Sequence, residues 1–374
     1  MIRPRDETPV RVSAVPKTGK GPRIISVEPV AMQYAQQLVS IRLREALVKS
    51  GINRQLNLTD QTINRRLAES GSKTGYYATL DLSEASDRLH CKVVSICLGG
   101  LDNRLARHIF ACRSSRAKIG KSLTINLVKF ASMGSALTFP VESYCFYILC
   151  VAAVYRGLIH ELSIRGKGFS SLAIAQSAMK QVFVFGDDII IPGRFGEIVS
   201  RYLELFGLKV NRDKSFFNGL FRESCGFDGF QGYDVSPVYL RRDAPSSIRD
   251  ATALVSWVSM GNQFHIRGFW RTAEAVRRFV DKIYKFPMVN PRSKALGWHH
   301  YTGAYQPERW SKNSSSWKVT SLVSSSSKPS DRLDEYDALL KHQISLKFPE
   351  DSDHLSRSTE RFSLKLRPKT VQPY

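Results

Sequence analysis

Two adjacent carboxylates at the tip of a buried hairpin limit what this chain can fold into more than any other feature. Gly186-Asp187-Asp188 stands between Val182-Phe183-Val184-Phe185 and Ile189-Ile190-Ile191-Pro192. Each flank is short, apolar and rich in β-branched or aromatic residues, the pattern of a buried strand. The glycine suits the tight bend between them. An unpaired carboxylate withdrawn from water is costly, and a cation is the usual remedy. Magnesium takes hard oxygen ligands, commonly one or two carboxylates plus substrate phosphates. The hairpin therefore reads as one wall of a metal-dependent phosphoryl-transfer site, against the plainer reading of a solvated Gly-Asp turn.

Charge points the same way. Fifty-five Lys and Arg against thirty-three acids give +22 over 374 residues, with a pI near 9.9. Such an excess suits a polyanion, and nucleic acid leads over a ribosome-like scaffold or a membrane-surface binder. The chain is 43% hydrophobic, ample for two or three domains or one multi-lobed one. Its longest apolar stretch, Tyr144 to Tyr155, ends at Arg156 and predicts no membrane-spanning helix. Six cysteines without a Cys-x-x-Cys pair read as buried, reduced thiols of a cytosolic protein, with no structural zinc. No secretory h-region opens the chain.

Residues 1–28 read as basic loop and short strand, and Val30 to Lys49 as an amphipathic helix. Asp60 is expected to cap a helix over the following residues. A buried strand is expected from Tyr76 to Leu82, and a helix from Ser83 to Cys97 stopped by Gly99-Gly100. A hairpin strand from Leu123 to Phe130 precedes a buried helix from Ser143 to Tyr155. After the 182–191 hairpin come a helix over 196–206, short strands over 214–240 and helices between about 246 and 284. Ser311 to Ser330 reads as a flexible linker, followed by a charged tail with one helix at 331–342.

A third acid belongs with the pair. Asp81 ends the apolar run Tyr77-Ala78-Thr79-Leu80 and opens Asp81-Leu82-Ser83-Glu84-Ala85-Ser86-Asp87-Arg88. Placed beside the hairpin in one sheet, it would share a cation with Asp187, and two such ions would serve an in-line displacement. The competing role is a helix N-cap near Ser83. Asp87 lies within reach of a ribose 2′-hydroxyl, or is a surface acid paired with Arg88. Ser132-Met133-Gly134-Ser135 and Thr138-Phe139-Pro140 form a small-residue loop entering a helix, suited to approach a base pair or phosphates. Val15-Pro16-Lys17-Thr18-Gly19-Lys20-Gly21-Pro22-Arg23 would clamp a triphosphate, or is a solvated basic loop.

In this order the elements resemble the motifs of viral RNA-dependent RNA polymerases, and most closely the replicase subunits of single-stranded RNA phages, the leviviruses. The resemblance runs over about residues 10 to 242. It rests on Lys17 to Pro29, Asp60-Gln61-Thr62-Ile63-Asn64, Asp81 to Asp87, Ser132-Met133-Gly134 with Thr138-Phe139, Gly186-Asp187-Asp188, and Phe221-Arg222-Glu223-Ser224-Cys225-Gly226. It implies a right-hand polymerase fold of the α+β class, with a palm of antiparallel sheet backed by helices, partial fingers and a helical thumb. Residues 1–75 would be partial fingers, 76–242 palm with an interleaved fingers segment, 243–306 thumb, and 307–374 linker and mobile basic tail.

The resemblance also implies roles. Asp81, Asp187 and Asp188 match metal-binding aspartates for two Mg2+ ions, with Mn2+ able to substitute. Lys17 and Arg23 match the cationic nucleotide-entry motif, and Asp87 the ribose-sensing acid. Ser132, Gly134 and Thr138 match the template and nucleotide loop, and Arg222, Glu223 and Ser224 the support of the primer end. Lys214, with Lys209 nearby, falls where polymerases place a lysine that protonates leaving pyrophosphate. Implied partners are RNA template and product, ribonucleoside triphosphates, host elongation factors Tu and Ts and a ribosomal protein, in the bacterial cytoplasm, with no membrane.

Two departures stand out. Glu142 occupies the position, four after the loop threonine, where many positive-strand polymerases carry asparagine. About sixteen residues precede the cationic motif, where family members carry a substantial region, so the chain is expected to be short at its N-terminus. Reverse transcription on the same palm is disfavoured by the glycine ahead of the acids. A non-enzymatic RNA-binding or packaging protein would leave the acids structural.

Overall fold

Both apolar flanks of the Gly-Asp-Asp turn are strands, and they pair with each other and with the strand ahead of Asp81. The computed structural model describes residues 7–18, 21–101, 103–120, 122–165, 170–300, 308–326, 336 and 364–373. The chain divides into two units, Met1–Ser236 and Pro237–Tyr374, ahead of the boundary expected after residue 242.

The first unit opens with β1 (Val10–Thr18), β2 (Gly21–Val27), α1 (Val30–Lys49), α2 (Thr62–Thr74), β3 (Tyr77–Leu80) and β4 (Leu82–Ser83). Next come α3 (Ala85–Arg88), α4 (Cys91–Leu98), α5 (Asn103–Ala111), β5 (Arg116–Ile119), β6 (Leu123–Asn126) and α6 (Thr138–Ile164). It closes with α7 (Ser171–Gln181), β7 (Phe183–Phe185), β8 (Asp188–Pro192), α8 (Gly196–Leu205), β9 (Lys209–Val210), β10 (Phe221–Ser224), β11 (Phe227–Phe230) and β12 (Tyr233–Asp234).

The central sheet has the order β3-β8-β7, antiparallel throughout. Successive side chains of a strand face opposite ways, and here both faces are covered. Ile189 and Ile191 join the large core with Ala78, Leu80, Val141, Cys145 and Phe195. Ile190 faces the other way, onto Phe183, Phe227 and Ala68 of α2. That explains the unbroken Ile-Ile-Ile run, each side chain wholly buried and worth roughly 1.5–3 kcal/mol.

Helix α6 is the spine of the large core and much longer than the expected Ser143–Tyr155. At 27 residues it is long and apolar enough to cross a membrane by length and composition, a test that the core helix of a soluble protein also passes. Its Val141, Cys145, Tyr147, Leu149 and Val154 are packed in the core of this unit. A second sheet, β2-β1-β5-β6, carries the cationic motif. The helix expected over 83–97 is two helices: Leu89 is extended, and the His90 ring accepts the Lys92 N–H to start α4 anew. Asp60 stands one residue outside the α2 cap and accepts the Thr62 N–H at 2.9 Å.

The second unit contains α9 (Ala251–Ile266), α10 (Trp270–Asp281), β13 (Met288–Val289), β14 (Trp298–His299), β15 (Arg309–Ser311), β16 (Ser316–Ser326) and β17 (Leu364–Val371). Asp250 caps α9 through the Ala253 N–H. Leu254, Val258, Val276, Val280, Phe286, Trp298 and Leu322 form its core. The region expected as a helical thumb thus mixes two helices with short strands. The serine-rich stretch is not a linker over its described part. Residues 316–326 form the middle strand of an antiparallel sheet, β15-β16-β17, whose outer strand comes from the expected mobile tail. Val319 and Leu322 are buried there, and the Ser321 hydroxyl donates to the Leu296 carbonyl. Sparse apolar residues suffice when both neighbours pair. Apart from Tyr336, the helix expected at 331–342 lies outside the described residues.

Candidate active site

The ladder between β3 and β8 sets the acids. Tyr77 pairs with Pro192 and Leu80 with Ile189, so the same register puts Asp81 across from Asp188. The main chain of Asp81 is held on both sides. Its N–H donates to the Ser215 hydroxyl at 3.1 Å, and its carbonyl accepts the Asn211 N–H at 2.9 Å. Its carboxylate accepts the Asn211 side-chain amide at 3.0 Å. The N-cap alternative therefore fails, since Glu84 occupies the cap of the next helix.

At the hairpin tip Phe185 pairs with Asp188, leaving a two-residue turn of Gly186 and Asp187. Gly186 has φ +65°, the left-handed conformation such turns need at their first central position. Its buried N–H donates to the Ser143 hydroxyl at 3.0 Å, and that hydroxyl donates to the Phe139 carbonyl at 2.7 Å. The first turns of α6 thereby hold the hairpin tip. Asp187 projects into solvent, whereas Asp188 is half-buried. The Asp188 carboxylate accepts from the Ser224 hydroxyl and the Cys225 N–H, both at 3.1 Å. Its carbonyl accepts from Asn64 at 3.1 Å. Burial holds the Asp188 pKa above the ordinary range; the Cys225 N–H opposes this and the Asp187 charge adds to it.

Glu142, on the second turn of α6, faces the same charge. Its Oε2 is buried with no hydrogen-bond partner. Burial first, then the charges of Asp187 and Asp87, push its pKa up to about 8. The Asp187 charge thus acts on both Asp188 and Glu142, a mutual repulsion that a divalent cation would relieve. Among the described residues no three His, Cys, Asp or Glu side chains stand close enough to hold a metal ion by themselves. The expected set of three aspartates is therefore not a closed cage. Asp187 is the exposed donor, Asp81 stands at the adjoining strand end, and Asp188 is committed to Ser224 and Cys225. These residues fit magnesium, which commonly takes few protein carboxylates and completes its shell with phosphate and water.

The other expected residues fall into two groups. Lys214 is exposed beside Asn211, and its charge lowers the Glu223 pKa against a larger rise from burial. Arg23 is exposed on β2. Gly134 lies against that strand: the Ser26 N–H donates to the Met133 carbonyl at 2.8 Å, and a Cβ on Gly134 would fall 2.0 Å from the Ser26 carbonyl oxygen. The side chain of Lys17 lies outside the described residues. Asp87 is exposed but ion-paired with Lys129 at 2.5 Å.

Ser132 and Thr138 are buried, and the Thr138 hydroxyl donates to the Ser132 carbonyl at 2.7 Å, which shapes the loop from within. Arg222 differs most from expectation. It is wholly buried and donates to the carbonyls of Tyr77, Asn218, Gly219 and Phe221. It braces the sheet and does not reach a surface where an RNA end would lie. Ser224 serves Asp188 instead.

The profile of the family described as "RNA replicase, beta-chain" matches residues 5–258, more than half of the chain. The chain belongs to this family. It is 35% identical over 228 residues to the RNA-directed RNA polymerase subunit beta of Enterobacteria phage SP, covering 61% of this chain and 35% of that one. To the RNA-directed RNA polymerase beta chain of Escherichia phage MS2 it is 33% identical over 231 residues, 62% and 37% of the two chains. This replicase-family chain thus spans a little over a third of the length of those relatives. Among solved structures, the BmCPV RNA-dependent RNA polymerase at its elongation state aligns with a TM-score of 0.50 at 11% identity, over 75% of this chain and 27% of that one. The likeness is one of fold, the right-hand α+β architecture.

The supporting residues of this replicase-family site were harder to foresee. Asn64 and Asn211 lie inside runs singled out for other members. Ser143 carries no signal at all in a helix that is mostly apolar.

Proposed function

We propose that this chain carries the catalytic palm of an RNA-directed RNA polymerase that replicates a positive-strand RNA phage genome from ribonucleoside triphosphates by two-metal-ion nucleotidyl transfer. The observation that carries the reading is the strand register that sets Asp81 across from Asp188, with Asp187 exposed at the turn beside them. Asp187 and Asp81 would hold magnesium, which, when bound, activates a 3′-hydroxyl and offsets charge on the leaving pyrophosphate; Mn2+ would substitute.

Asn211 and Ser215 orient Asp81, while Ser224, Cys225 and Asn64 fix Asp188 as a nearby negative charge. Exposed Arg23 would meet incoming phosphates, as would Lys17 on the sequence reading. Lys214 would supply a proton or positive charge to pyrophosphate. Asp87, released from Lys129, would meet the ribose. The loop over 132–138 would line the nucleotide's seat through its main chain. Partners proposed from the family resemblance are elongation factors Tu and Ts and a ribosomal protein, in the host cytoplasm.

The test is magnesium-dependent incorporation of labelled ribonucleotides on an RNA template, with and without bacterial elongation factors. Asp187→Asn should abolish incorporation and leave RNA affinity largely intact. Retained incorporation in that variant would sink the proposal.

A further inference from the structure

Helix α10 is amphipathic in an unusual sense: its solvent face is aromatic as well as basic. Ala273, Val276 and Val280 turn inward. On the outside Trp270, Arg271, Glu274, Ala275, Arg278, Phe279 and Lys282 line an open depression of about 600 Å³. Trp270 is 68% exposed. Phe279 is backed by Trp257, ring centroids 4.9 Å apart, and Trp257 is itself anchored through its indole N–H to the carbonyls of Arg242 and Asp243. Phe279 lies nine positions after Trp270, about 13–14 Å along the helix and half a turn round it, so the two rings flank this face from opposite edges with Arg271, Arg278 and Lys282 between them. Arg278 makes an exposed pair with Glu274, at 3.0 Å, a bond of small worth that a phosphate would readily replace. The whole face lies beyond residue 258, where the family match ends.

We infer that this face of α10 binds single-stranded RNA, with Trp270 and Phe279 stacking on bases and Arg271, Arg278 and Lys282 meeting phosphates. Aromatic platforms interleaved with cations are how proteins hold single strands without sequence preference. The choice of RNA as occupant rests on the polymerase reading and on the chain's charge of +22. A membrane-surface helix is the other occupant of such composition, but there the aromatic side opposes the basic side and is the apolar face. In α10 the apolar face is already buried in the core, and aromatics and cations share the other.

The experiment is photo-crosslinking of a thiouridine-substituted single-stranded RNA to the full chain, with crosslinked peptides mapped. Crosslinks within residues 270–282 are expected in the wild type, reduced roughly tenfold or more in Trp270→Ala and restored in Trp270→Phe, with thermal melting unchanged because the residue is exposed. Arg271→Gln with Lys282→Gln should flatten the slope of log affinity against log salt by about 0.7 for each phosphate no longer neutralised. RNA that crosslinks elsewhere but never to α10 would overturn the inference. So would loss of binding to anionic phospholipid vesicles, and not of RNA crosslinks, in Trp270→Ala. Asp187→Asn should leave the α10 crosslinks in place. A wild type that crosslinks at α10 but incorporates nothing would fault the polymerase reading and not this surface.

Discussion

The Ser143 hydroxyl accepts the buried N–H of Gly186 at 3.0 Å and donates its own hydrogen bond to the Phe139 carbonyl at 2.7 Å. The helix that begins at Thr138 and the turn bearing Asp187 are thereby joined by one side chain. Ser143→Ala would leave a buried donor unsatisfied, at a cost of about 1–3 kcal/mol. Urea denaturation should show that loss, and incorporation should fall with it; an unchanged midpoint would deny the link.

Asn211 orients Asp81 through its side chain and its main chain. Asn211→Ala should keep the fold, since the main-chain bond persists, yet loosen the carboxylate. Roughly a ten- to hundredfold drop in incorporation is expected, as for outer-shell partners of metal ligands. More magnesium should also be needed for half-maximal rate, which a titration would read.

Glu142 gives the metal-free protein a pH signature. Its folded pKa is raised from 4.5 to about 8, so the folded state keeps a proton that the unfolded chain gives up. Its favourable contribution is complete below pH 4.5, declines as pH climbs through about 8, and is gone above that. Glu142→Gln should match wild type near pH 4 in divalent-free buffer and exceed it at pH 9 by a few kcal/mol. Parallel pH profiles of melting would refute this.

Arg222 separates a bracing role from an RNA contact. Arg222→Met strips four carbonyls of their donor and should cost about 3 kcal/mol or more. Under native conditions, primer–template affinity of the folded fraction should not move. A selective loss of affinity at unchanged stability would restore the surface role.

Gly134→Ala is expected to be damaging for reasons of space and backbone alike: φ is +124°, and the Ser26 carbonyl stands where the methyl would go. Gly120→Ala is the control, having positive φ but open surroundings. The first should lose clearly more stability than the roughly 1 kcal/mol expected of the second.

What could be read from the letters follows from where the signal is local. Ile189-Ile190-Ile191 after Asp188 announced a strand covered on both faces, and Val30 to Lys49 announced its helix to the residue. Arg222 could not be placed, because nothing in Phe221-Arg222-Glu223-Ser224 says which side of a strand meets a stack of free carbonyls. Ser316 to Ser326 misled for a related reason. Its composition is that of a linker, and it is ordered by Leu364 to Val371, some forty residues away, through main-chain pairing that any side chain permits. Asn64, Ser143 and Asn211 are long-range partners, invisible until the strands are aligned.

Because Asp81 and Asp188 are aligned by counting residues along β3 and β8, the ladder works as a ruler. The apolar side chains along it are interchangeable with others of similar bulk. One residue inserted between Tyr77 and Asp81, or between Asp188 and Pro192, would turn one acid to the opposite face of the sheet while touching neither. Along these strands spelling is free and spacing is not.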